Sequence, residues 1–478
     1  MNPSHILLIN PWIYDFAAYD LWIKPHGLLS ISSILKKYGY HTGLIDCLDR
    51  TLPDQPAQRS TYNAQDKKYG TGKYRREPIV KPDALSHVSR AYYRYGISLE
   101  LFQEKLASMQ KPDVVMVTSL MTYWCPGCFK VIELVKAMHP DTPVVLGGIY
   151  ATLYPEHARA HSGADHVISG PGEKKALALA DELTGHQSDW PTFPQSWNDY
   201  PEPDYDQYTN LIAMPVHTSK GCPFQCSFCA SRLISGTFQR KDPEKISAYI
   251  SNLNSTRGIA HFAFMDDALL IDAANHIKII LHNIIDARLN ATFHTPNGLH
   301  AREIDGELAE LMMRSNFKTV RLSYESADPE RQKEMHGKVS DQSLIDALRH
   351  LENAGYKRHD LEAYIIMGLP GQSIEEVVES MVFVMSLGCK VRLTSFTPLP
   401  GTLDWERAVQ SCDLDPDIDP ILTNNTLYPL RHKGFTTDHF QKLRKICREH
   451  NSTISRSGVP LTSDYSTRSI LAQLSGHR

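Results

Sequence analysis

The chain has 478 residues, with 50 basic and 54 acidic side chains and a formal net charge of −4. This length is sufficient for two or three domains with cores of their own, and an apolar share of 42% excludes a chain that is disordered throughout. The near-neutral charge balance also argues against a protein that binds nucleic acid mainly through its phosphates.

The N-terminal part alternates short apolar runs with helical periodicity, which is typical of a parallel sheet with crossover helices. Helices are predicted around residues 28–35, over Phe129–Met138 and from Glu173 onward, and Gly39 is expected to end the first. We therefore expect an α/β, doubly wound, Rossmann-like domain over residues 1–185. Its strands are predicted at Ile6–Ile9, Thr42–Ile45, Val114–Thr118, Pro143–Leu146 and His166–Ser169.

Two segments depart from this alternation. Residues 51–110 are polar and rich in Tyr and Arg, and we expect a solvated insertion that caps the domain. Residues 186–210 contain several prolines and little periodicity, and are predicted to be a linker.

Strand and helix signals alternate again over residues 211–402, and this alternation predicts a partial (β/α)6 barrel of the TIM type. The chemistry of such a barrel lies at the carboxyl ends of its strands. Residues 403–478 are expected to form a short, mostly helical C-terminal segment. The six strands are predicted at Ala213–His217, Phe262–Met265, Thr292–His294, Thr319–Leu322, Glu362–Ile366 and Val391–Ser395.

No apolar run approaches the roughly 18–20 residues that span a bilayer. The first residues lack the basic region of a signal peptide and instead predict a strand. We therefore expect a cytoplasmic protein, in which thiols stay reduced and clustered cysteines indicate a metal site or catalysis.

Three cysteines follow the first strand of the predicted barrel. Cys222, Cys226 and Cys229 lie within eight residues at the spacing C-x3-C-x2-C. A structural zinc site needs four ligands, usually in paired C-x2–4-C knuckles, and no second pair lies nearby. A [4Fe–4S] cluster normally takes four cysteines, so that three would leave one iron open to a further ligand.

This spacing and position resemble those of the radical S-adenosylmethionine (SAM) superfamily. The resemblance implies that Cys222, Cys226 and Cys229 ligate a [4Fe–4S] cluster and that the open iron binds SAM. In that family, reductive cleavage of SAM yields a 5′-deoxyadenosyl radical. Phe228 stands at the aromatic position before the last cysteine, which contacts the adenine.

The ends of the later strands carry further segments that resemble this superfamily, in the same order and at the spacing of βα units. They are M-D-D at 265–267, P-N-G at 296–298, L-S-Y-E-S at 322–326 and the glycine turns at 366–371 and 397–402. Carboxylates at such positions accept hydrogen bonds from the SAM ammonium. The resemblance implies that SAM is bound by Phe228, Asp266, Asp267, Asn297, Ser323, Glu325, Gly368 and Leu399.

The first domain resembles the cobalamin-binding domains that accompany some radical SAM enzymes. The segments that resemble them are T-S-L-M-T at 118–122, L-G-G-I-Y at 146–150 and V-I-S-G-P-G-E at 167–173. Small residues at carboxyl strand ends let a bulky planar ligand approach the backbone. His26 lacks the spacing of a cobalt-ligating D-x-H-x-x-G motif, and we expect an ordinary loop histidine. The resemblance implies that cobalamin is bound by Ser119, Leu120, Thr122, Gly147, Gly148, Gly170, Gly172 and Glu173.

Together these resemblances cover about residues 5–402 and imply a cobalamin-dependent methyltransferase of the radical SAM type, acting on an unactivated carbon or on phosphorus. They also imply a small-molecule or lipid-like substrate and a reductant such as flavodoxin or ferredoxin. A nucleic-acid partner is not expected. No residue is assigned to catalysis beyond those that bind the cofactors.

Two alternatives stay open at this point. Cys47, Cys125 and Cys128 would meet at one sheet edge in some strand orders and would then hold a second iron–sulfur cluster, as in a cobalamin-independent cyclase, coupling enzyme or sulfur-inserting enzyme. Otherwise they are buried thiols that behave as small apolar groups. The second alternative is a non-catalytic corrinoid or iron–sulfur sensor, which would not need the SAM-binding segments.

Overall fold

A computed structural model describes residues 3–52, 65–335, 337–427, 430, 435–458 and 465–475. The chain divides into two compact units. Unit 1 contains Met1–Pro215 with the short segments Leu233–Gly236 and Asp419–Leu422, and unit 2 contains the remaining residues from Val216 to Arg478.

Unit 1 is built on a five-stranded parallel sheet. Its helices are α1 (His26–Lys37), α2 (Leu99–Ser108), α3 (Cys125–Met138), α4 (Ile149–Leu153), α5 (Pro155–His161) and α6 (Glu173–Thr184). Its strands are β1 (His5–Asn10), β2 (Ile13–Asp15), β3 (His41–Asp46), β4 (Gln65–Asp66), β5 (Gly72–Lys73), β6 (Arg76–Ile79), β7 (Tyr92–Tyr95), β8 (Val114–Val117), β9 (Val144–Leu146) and β10 (His166–Val167).

The strand order in this sheet is β10-β9-β8-β1-β3, and the pairings are parallel. This is the flavodoxin-like doubly wound order, in which the chain reverses direction across the sheet between β1 and β8. Ligands of such sheets bind outside the carboxyl ends of the strands, near that reversal. The predicted Rossmann-like fold is confirmed.

Burial explains why these segments form strands and helices. Every residue of β1 is buried, as expected for a central parallel strand with helices on both faces. Helix α1 buries Leu28, Leu29, Ile34 and Leu35 on one face. Gly39 follows the helix with a φ of +91°, a conformation that favours glycine, so that the predicted helix end is confirmed.

The Tyr- and Arg-rich insertion is more ordered than a solvated cap. Residues 53–64 of it lie outside the described residues. In the described part, β2, β7 and β6 form an antiparallel sheet, and Tyr92, Arg94 and Tyr95 of β7 are buried. The guanidinium of Arg76 lies 4.3 Å from the ring centroid of Tyr93. Arg76 and Tyr93 therefore contact one another. Strand alternation places Tyr92 and Arg94 on one face of β7 and Tyr95 on the other, so both faces of this strand are buried.

The segment predicted to be a linker, residues 186–210, packs within unit 1. It contains three short 3-10 turns, and the rings of Phe193, Trp197, Tyr205 and Tyr208 are buried. His26, at the start of α1, has its Nδ1 atom 3.3 Å from the Tyr205 hydroxyl.

The chain from residue 213 onward carries the second set of strands and helices. Its helices are α7 (Ser231–Ser235), α8 (Pro243–Arg257), α9 (Ile277–Asp286), α10 (Gly306–Arg314), α11 (Pro329–Glu334), α12 (Asp341–Asn353), α13 (Ile374–Ser386), α14 (Leu403–Ser411), α15 (Thr437–Ser457) and α16 (Thr467–Ser475). Its strands are β11 (Ala213–Val216), β12 (Ser219–Lys220), β13 (Gln239–Arg240), β14 (His261–Phe264), β15 (Thr292–His294), β16 (Leu299–His300), β17 (Phe317–Thr319), β18 (Arg321–Glu325), β19 (Glu362–Met367) and β20 (Lys390–Ser395).

These strands form two four-stranded sheets, in the orders β11-β14-β15-β17 and β16-β18-β19-β20. The predicted strand at Thr319–Leu322 is wrong in one respect, because the chain forms two strands there, β17 and β18, in different sheets. The other five predicted barrel strands coincide with observed strands to within a few residues. The partial α/β barrel and the helical C-terminal segment are confirmed. Within the described residues, no helix combines the length and the hydropathy that crossing a bilayer requires.

Candidate active site

The three clustered cysteines lie on a loop between two short paired strands. β12 and β13 pair in antiparallel fashion, with Ser219 opposite Arg240, and thereby fix both ends of the loop. Cys226 is buried, Cys222 is half-buried and Cys229 is exposed. One face of the loop therefore remains accessible, as a cofactor with an open coordination position requires.

The loop is tied to helix α14 by a buried carboxylate. The Ser227 hydroxyl donates to Oδ2 of Asp404 at 2.7 Å, and the backbone N–H of Asp404 donates to the carbonyl of Ser227 at 3.0 Å. Asp404 is completely buried, and Arg407 lies 3.0 Å from its other oxygen. These contacts fix the backbone between Cys226 and Cys229.

A buried cation faces the cysteine loop. Nζ of Lys338 lies 3.5 Å from a carboxylate oxygen of Glu325, and both side chains are only 11% exposed. Burial alone would lower the pKa of Lys338, but Glu325 and the three cysteines together hold that pKa above its ordinary value. Burial raises the pKa of the Cys226 thiol to about 12, and Lys338 acts in the opposite direction. The lysine would thus stabilise thiolates at this loop electrostatically.

The fit of a [4Fe–4S] cluster follows from this donor set. Among the residues that the structure describes, no group of three or more His, Cys, Asp and Glu side chains has the arrangement of a metal-ion site. The thiolates that hold an iron–sulfur cluster bind different irons, so they need not converge on one point. Three thiols on one partly open loop beside a cation fit a cluster better than a mononuclear zinc ion.

Asp266 follows β14 and is buried. One of its carboxylate oxygens accepts several hydrogen bonds, whereas the other has no partner among the described residues. Its Oδ1 atom accepts hydrogen bonds from the backbone and the hydroxyl of both Thr218 and Ser219. Its Oδ2 atom is buried and has no partner among the described residues. Burial raises the pKa of Asp266 to about 6, although the bonds from Ser219 and Thr218 act to lower it. A buried carboxylate oxygen without a donor fits a cationic ligand such as the SAM ammonium. The side chain of Asp267, by contrast, is exposed.

The segment at 296–298 lies against the neighbouring strand ends. Nδ2 of Asn297 donates to the carbonyl of Met265 at 2.8 Å. A Cβ atom on Gly298 would lie 2.3 Å from the hydroxyl of Ser323, so only glycine allows this approach. Glu325 has a φ of +70°, a strained conformation for a residue other than glycine. The structure thus places Asp266 after β14, Asn297 after β15, Ser323 within β18 and Glu325 at the end of β18.

The last two expected SAM contacts have different surroundings. A Cβ atom on Gly368, which has a φ of +89°, would lie 2.8 Å from the ring of Phe440 on α15. The glycine therefore already has a structural role in packing that helix. Leu399 is half-buried and lies in a turn, in which its carbonyl accepts a hydrogen bond from the N–H of Thr402 at 3.3 Å. Phe228 is also half-buried.

In unit 1 the expected cobalamin ligands follow three adjacent strands. Ser119 follows β8, and its hydroxyl donates to the carbonyl of Gly147 at 2.6 Å. A Cβ atom on Gly148, which has a φ of +92°, would lie 2.3 Å from the Ser119 carbonyl oxygen. After β10, the N–H of Gly170 donates to the Thr152 hydroxyl at 2.9 Å. These contacts hold the carboxyl ends of β8, β9 and β10 together at one edge of the sheet.

At the same edge, Gly147 has space for a Cβ atom, in contrast to Gly148. The nearest atom to a Cβ on Gly147 would be the Ile168 carbonyl oxygen, at 3.8 Å. Leu120 is half-buried and the neighbouring Met121 is 42% exposed, so apolar surface borders this space. Thr122 is buried, whereas Gly172 and Glu173 lie at the start of α6. A glycine backbone without close contacts and with apolar neighbours fits the approach of a corrin ring.

Cys47, Cys125 and Cys128 lie inside unit 1. Each is at most 1% exposed. Cys125 and Cys128 lie in the first turn of α3, and the Cys128 thiol donates weakly to the Thr118 carbonyl at 3.5 Å. Burial raises the pKa of Cys128 to about 12. Unlike the loop at 222–229, this set has no exposed member, which favours its interpretation as apolar core thiols.

Several residues of the site were not identified from the sequence. Asp404, Thr218 and Ser219 are far in sequence from their partners, Lys338 is separated from Glu325 by α11, and none of the four lies in a recognisable motif. Only the position of Thr218 and Ser219, directly before the cysteine loop, was a usable signal.

Two family models match parts of the chain. The family model of the radical SAM superfamily matches residues 216–384. The family model of the B12 binding domain matches residues 95–180. The first range contains the three clustered cysteines, and the second contains the glycine edge of unit 1.

Characterised and uncharacterised methyltransferases are similar over most of the chain. An uncharacterized methyltransferase of Pyrococcus horikoshii is 28% identical over 76% of this chain and 81% of its own length. The cytidylyl-2-hydroxyethylphosphonate methyltransferase of Streptomyces wedmorensis is 21% identical over 86% of this chain and 83% of its own length.

Among solved structures, the radical SAM methyltransferase TsrM from Kitasatospora setae has a similar fold. Its structure with cobalamin and a [4Fe–4S] cluster bound aligns with a TM-score of 0.60 and 16% identity, over 85% of this chain and 75% of TsrM. At this identity, the likeness concerns the fold.

Proposed function

We propose the function of this protein from its family: the chain belongs to the radical SAM superfamily, carries a B12 binding domain, and is a cobalamin-dependent radical SAM methyltransferase. One observation carries the proposal. The same chain combines a partly open three-cysteine loop with a strand edge of unit 1 at which a Cβ on Gly147 would meet no atom closer than 3.8 Å. A second-cluster enzyme and a non-catalytic sensor are not favoured.

When bound, a [4Fe–4S] cluster would supply the electron for reductive cleavage of SAM, and cobalamin would supply the methyl group. In this proposal Cys222, Cys226 and Cys229 hold the cluster. Lys338 balances part of its negative charge, and the Ser227–Asp404 contact holds the loop in place.

The barrel strand ends would bind SAM. The unpartnered Oδ2 of Asp266 would accept a hydrogen bond from the ammonium group. Ser323, Glu325 and Asn297 would contact its polar groups, and Phe228 and Leu399 would contact the adenine. Gly368 would allow the backbone at the end of β19 to approach the ligand. Asp267 would also contact SAM in this proposal. Its exposed carboxylate lies beside Oγ of Ser231 and near Lys338.

The edge formed by Ser119, Gly147, Gly148 and Gly170 would bind cobalamin. Ser119 and Thr152 hold the strand ends together, so that the backbone at Gly147 presents a flat surface. Leu120, Thr122, Gly172 and Glu173 border this edge in the proposal. The second domain would supply SAM and the first would supply the corrin, and each would exclude water from its own cofactor.

Enzymes of this superfamily act on small molecules and need a reductant. We propose methylation of an unactivated carbon or of phosphorus in a small-molecule or lipid-like substrate, with flavodoxin or ferredoxin as the electron donor. A cytoplasmic location stays a prediction.

The test uses the full-length protein, reconstituted without oxygen with iron, sulfide and cobalamin. Incubation with SAM and dithionite should yield 5′-deoxyadenosine, and S-adenosylhomocysteine in an amount that depends on cobalamin. A Cys226→Ala variant should form neither at the wild-type rate, whereas Cys412→Ala, which removes a buried thiol outside the loop, should behave as wild type. Unchanged SAM after strong reduction, or equal turnover by Cys226→Ala, would contradict the proposal.

A further inference from the structure

His276 is a buried histidine of unit 2 that the proposed function does not use. It lies directly before helix α9, and its side chain is enclosed by the protein. The Nε2 atom of His276 lies 2.8 Å from Oγ1 of Thr218. The Thr218 hydroxyl in turn donates to Oδ1 of Asp266 at 2.7 Å. These three residues, which we call the His276 relay, form a buried series of hydrogen bonds that ends on the carboxylate proposed to bind SAM.

The direction of each hydrogen bond in the His276 relay follows from the groups that take part. An ionised carboxylate can only accept, so the single hydroxyl proton of Thr218 is directed at Asp266. The hydroxyl oxygen then offers only lone pairs to His276, and the imidazole must donate through its Nε2–H. Burial, together with the positive charge of Arg240, lowers the pKa of His276 to about 4, so the ring is neutral at pH 7.

Thr218 is held in place at each of its polar atoms. Its backbone N–H donates to Oδ1 of Asp266 at 3.0 Å, and its carbonyl accepts from the N–H of Lys241 at 2.9 Å. The residue is completely buried, so its hydroxyl is shielded from bulk water. Because His276 donates to this hydroxyl, turning its proton away from Asp266 would disturb two hydrogen bonds at once.

The imidazole of His276 is held by the turn that precedes α9. This turn, Ala273–Asn275, follows Asp272, whose carboxylate accepts from the guanidinium of Arg240 at 2.8 Å. Arg240 belongs to β13, which pairs with β12 directly after Thr218. The strand pair and the turn thus fix His276 and Thr218 relative to each other.

The two oxygens of Asp266 have different surroundings, and the His276 relay acts on only one of them. Oδ1 accepts four hydrogen bonds, two from Thr218 and two from Ser219. Oδ2 has no partner among the described residues. Consecutive hydrogen bonds polarise one another, so the donor on His276 strengthens the bond from Thr218 to Oδ1. Stronger donors to Oδ1 favour the ionised carboxylate in a buried site and fix the position of Oδ2.

We propose that His276 is a positioning residue for SAM, which acts through the Thr218 hydroxyl to keep the Asp266 carboxylate ionised and oriented toward the ammonium group. His276 does not itself contact SAM in this arrangement. The proposal rests on the proposed function, in which Asp266 binds SAM.

The test measures SAM affinity by equilibrium dialysis against the full-length, cluster-loaded protein. His276→Leu removes the donor and should weaken SAM binding about three- to tenfold, because one hydrogen bond between neutral groups is lost. His276→Gln should restore most of the affinity, since its side-chain amide can donate to Thr218. In an Asp266→Asn background, His276→Leu should cause no further loss, because its effect is exerted through the carboxylate.

His450→Leu is the matched control. His450 is completely buried, and its Nε2 atom lies 3.0 Å from the carbonyl oxygen of Cys389, so it is not part of the His276 relay. This variant should bind SAM as the wild type does. The proposal would be overturned by equal losses in His276→Leu and His450→Leu, by failure of His276→Gln to restore affinity, or by an undiminished effect of His276→Leu in the Asp266→Asn background.

Thermal unfolding without SAM separates this proposal from the proposed function. Without the donor on His276, the Asp266 charge is less stabilised. At pH 7.5, Asp266→Asn should therefore raise Tm more in the His276→Leu background than in the wild type. An equal rise in both backgrounds would overturn the role of His276. A larger rise in His276→Leu, in a wild type that binds no SAM, would contradict the proposed function and leave the coupling of His276 to Asp266 standing.

Discussion

Replacing Asp266 by Asn separates the stability of the protein from its affinity for SAM. Asn keeps the shape of the side chain and an oxygen that accepts from Thr218 and Ser219, but it removes the buried charge. In the wild type, that charge has no partner at Oδ2 among the described residues. The buried charge of Asp266 therefore lowers the stability of the folded protein, while its free oxygen is available to a ligand.

The magnitude follows from the pKa of Asp266, which burial raises from 3.8 to about 6. A rise of about 2 units corresponds to about 3 kcal/mol of free energy of unfolding. Because the folded-state pKa lies above the unfolded one, this stability is present below about pH 4 and is lost as the pH rises through 6. Asp266→Asn should thus be more stable than the wild type at pH 7.5, by up to about 3 kcal/mol.

Binding should change in the opposite direction. Loss of one charge-assisted hydrogen bond of about 1.5–3 kcal/mol weakens the affinity for SAM about 10- to 150-fold. Equilibrium dialysis of SAM against the cluster-loaded protein measures the change in affinity. Thermal unfolding at pH 4 and 7.5 measures the change in stability. The exposed Asp286→Asn serves as the control. A variant that is less stable at pH 7.5 and binds SAM normally would refute the reasoning.

Three further predictions concern the remaining cofactor residues. Cys226→Ala should abolish 5′-deoxyadenosine formation while unit 1 still binds cobalamin, which absorption spectroscopy checks; persisting turnover would contradict the cluster assignment. Cys125→Ala should leave the iron content per chain unchanged, and a loss of about half of the iron would instead support a second cluster. Gly147→Leu should lower the cobalamin affinity at least about tenfold with little change in Tm, because a Cβ on Gly147 would meet no atom closer than 3.8 Å. Gly148→Ala should instead lower Tm, because its Cβ would lie 2.3 Å from a backbone oxygen. Equal cobalamin binding by Gly147→Leu and wild type would argue against this edge as the corrin site.

Local patterns in the sequence predicted the strands, because fully buried parallel strands such as β1 are continuous apolar runs. They failed where tertiary packing decides the outcome. The polar composition of residues 51–110 does not indicate that Tyr92, Arg94 and Tyr95 are buried. Likewise, the prolines of 186–210 indicate a linker, although Trp197 and Tyr205 are buried in unit 1.

The site was predictable to the extent that its residues lie in contiguous motifs. Cys222, Cys226 and Cys229 share one loop, so their spacing identifies them. The Ser227–Asp404 contact joins residues that lie far apart in the chain, and the Lys338–Glu325 ion pair joins residues on either side of α11, so that only the fold brings these groups together.

The content of iron, sulfide and cobalt per chain, after reconstitution without oxygen, tests the central claim most directly. A cobalamin-dependent radical SAM enzyme with one three-cysteine loop should hold about four irons, about four sulfides and about one cobalt. Zinc at the loop, or about eight irons with no cobalt, would contradict the account.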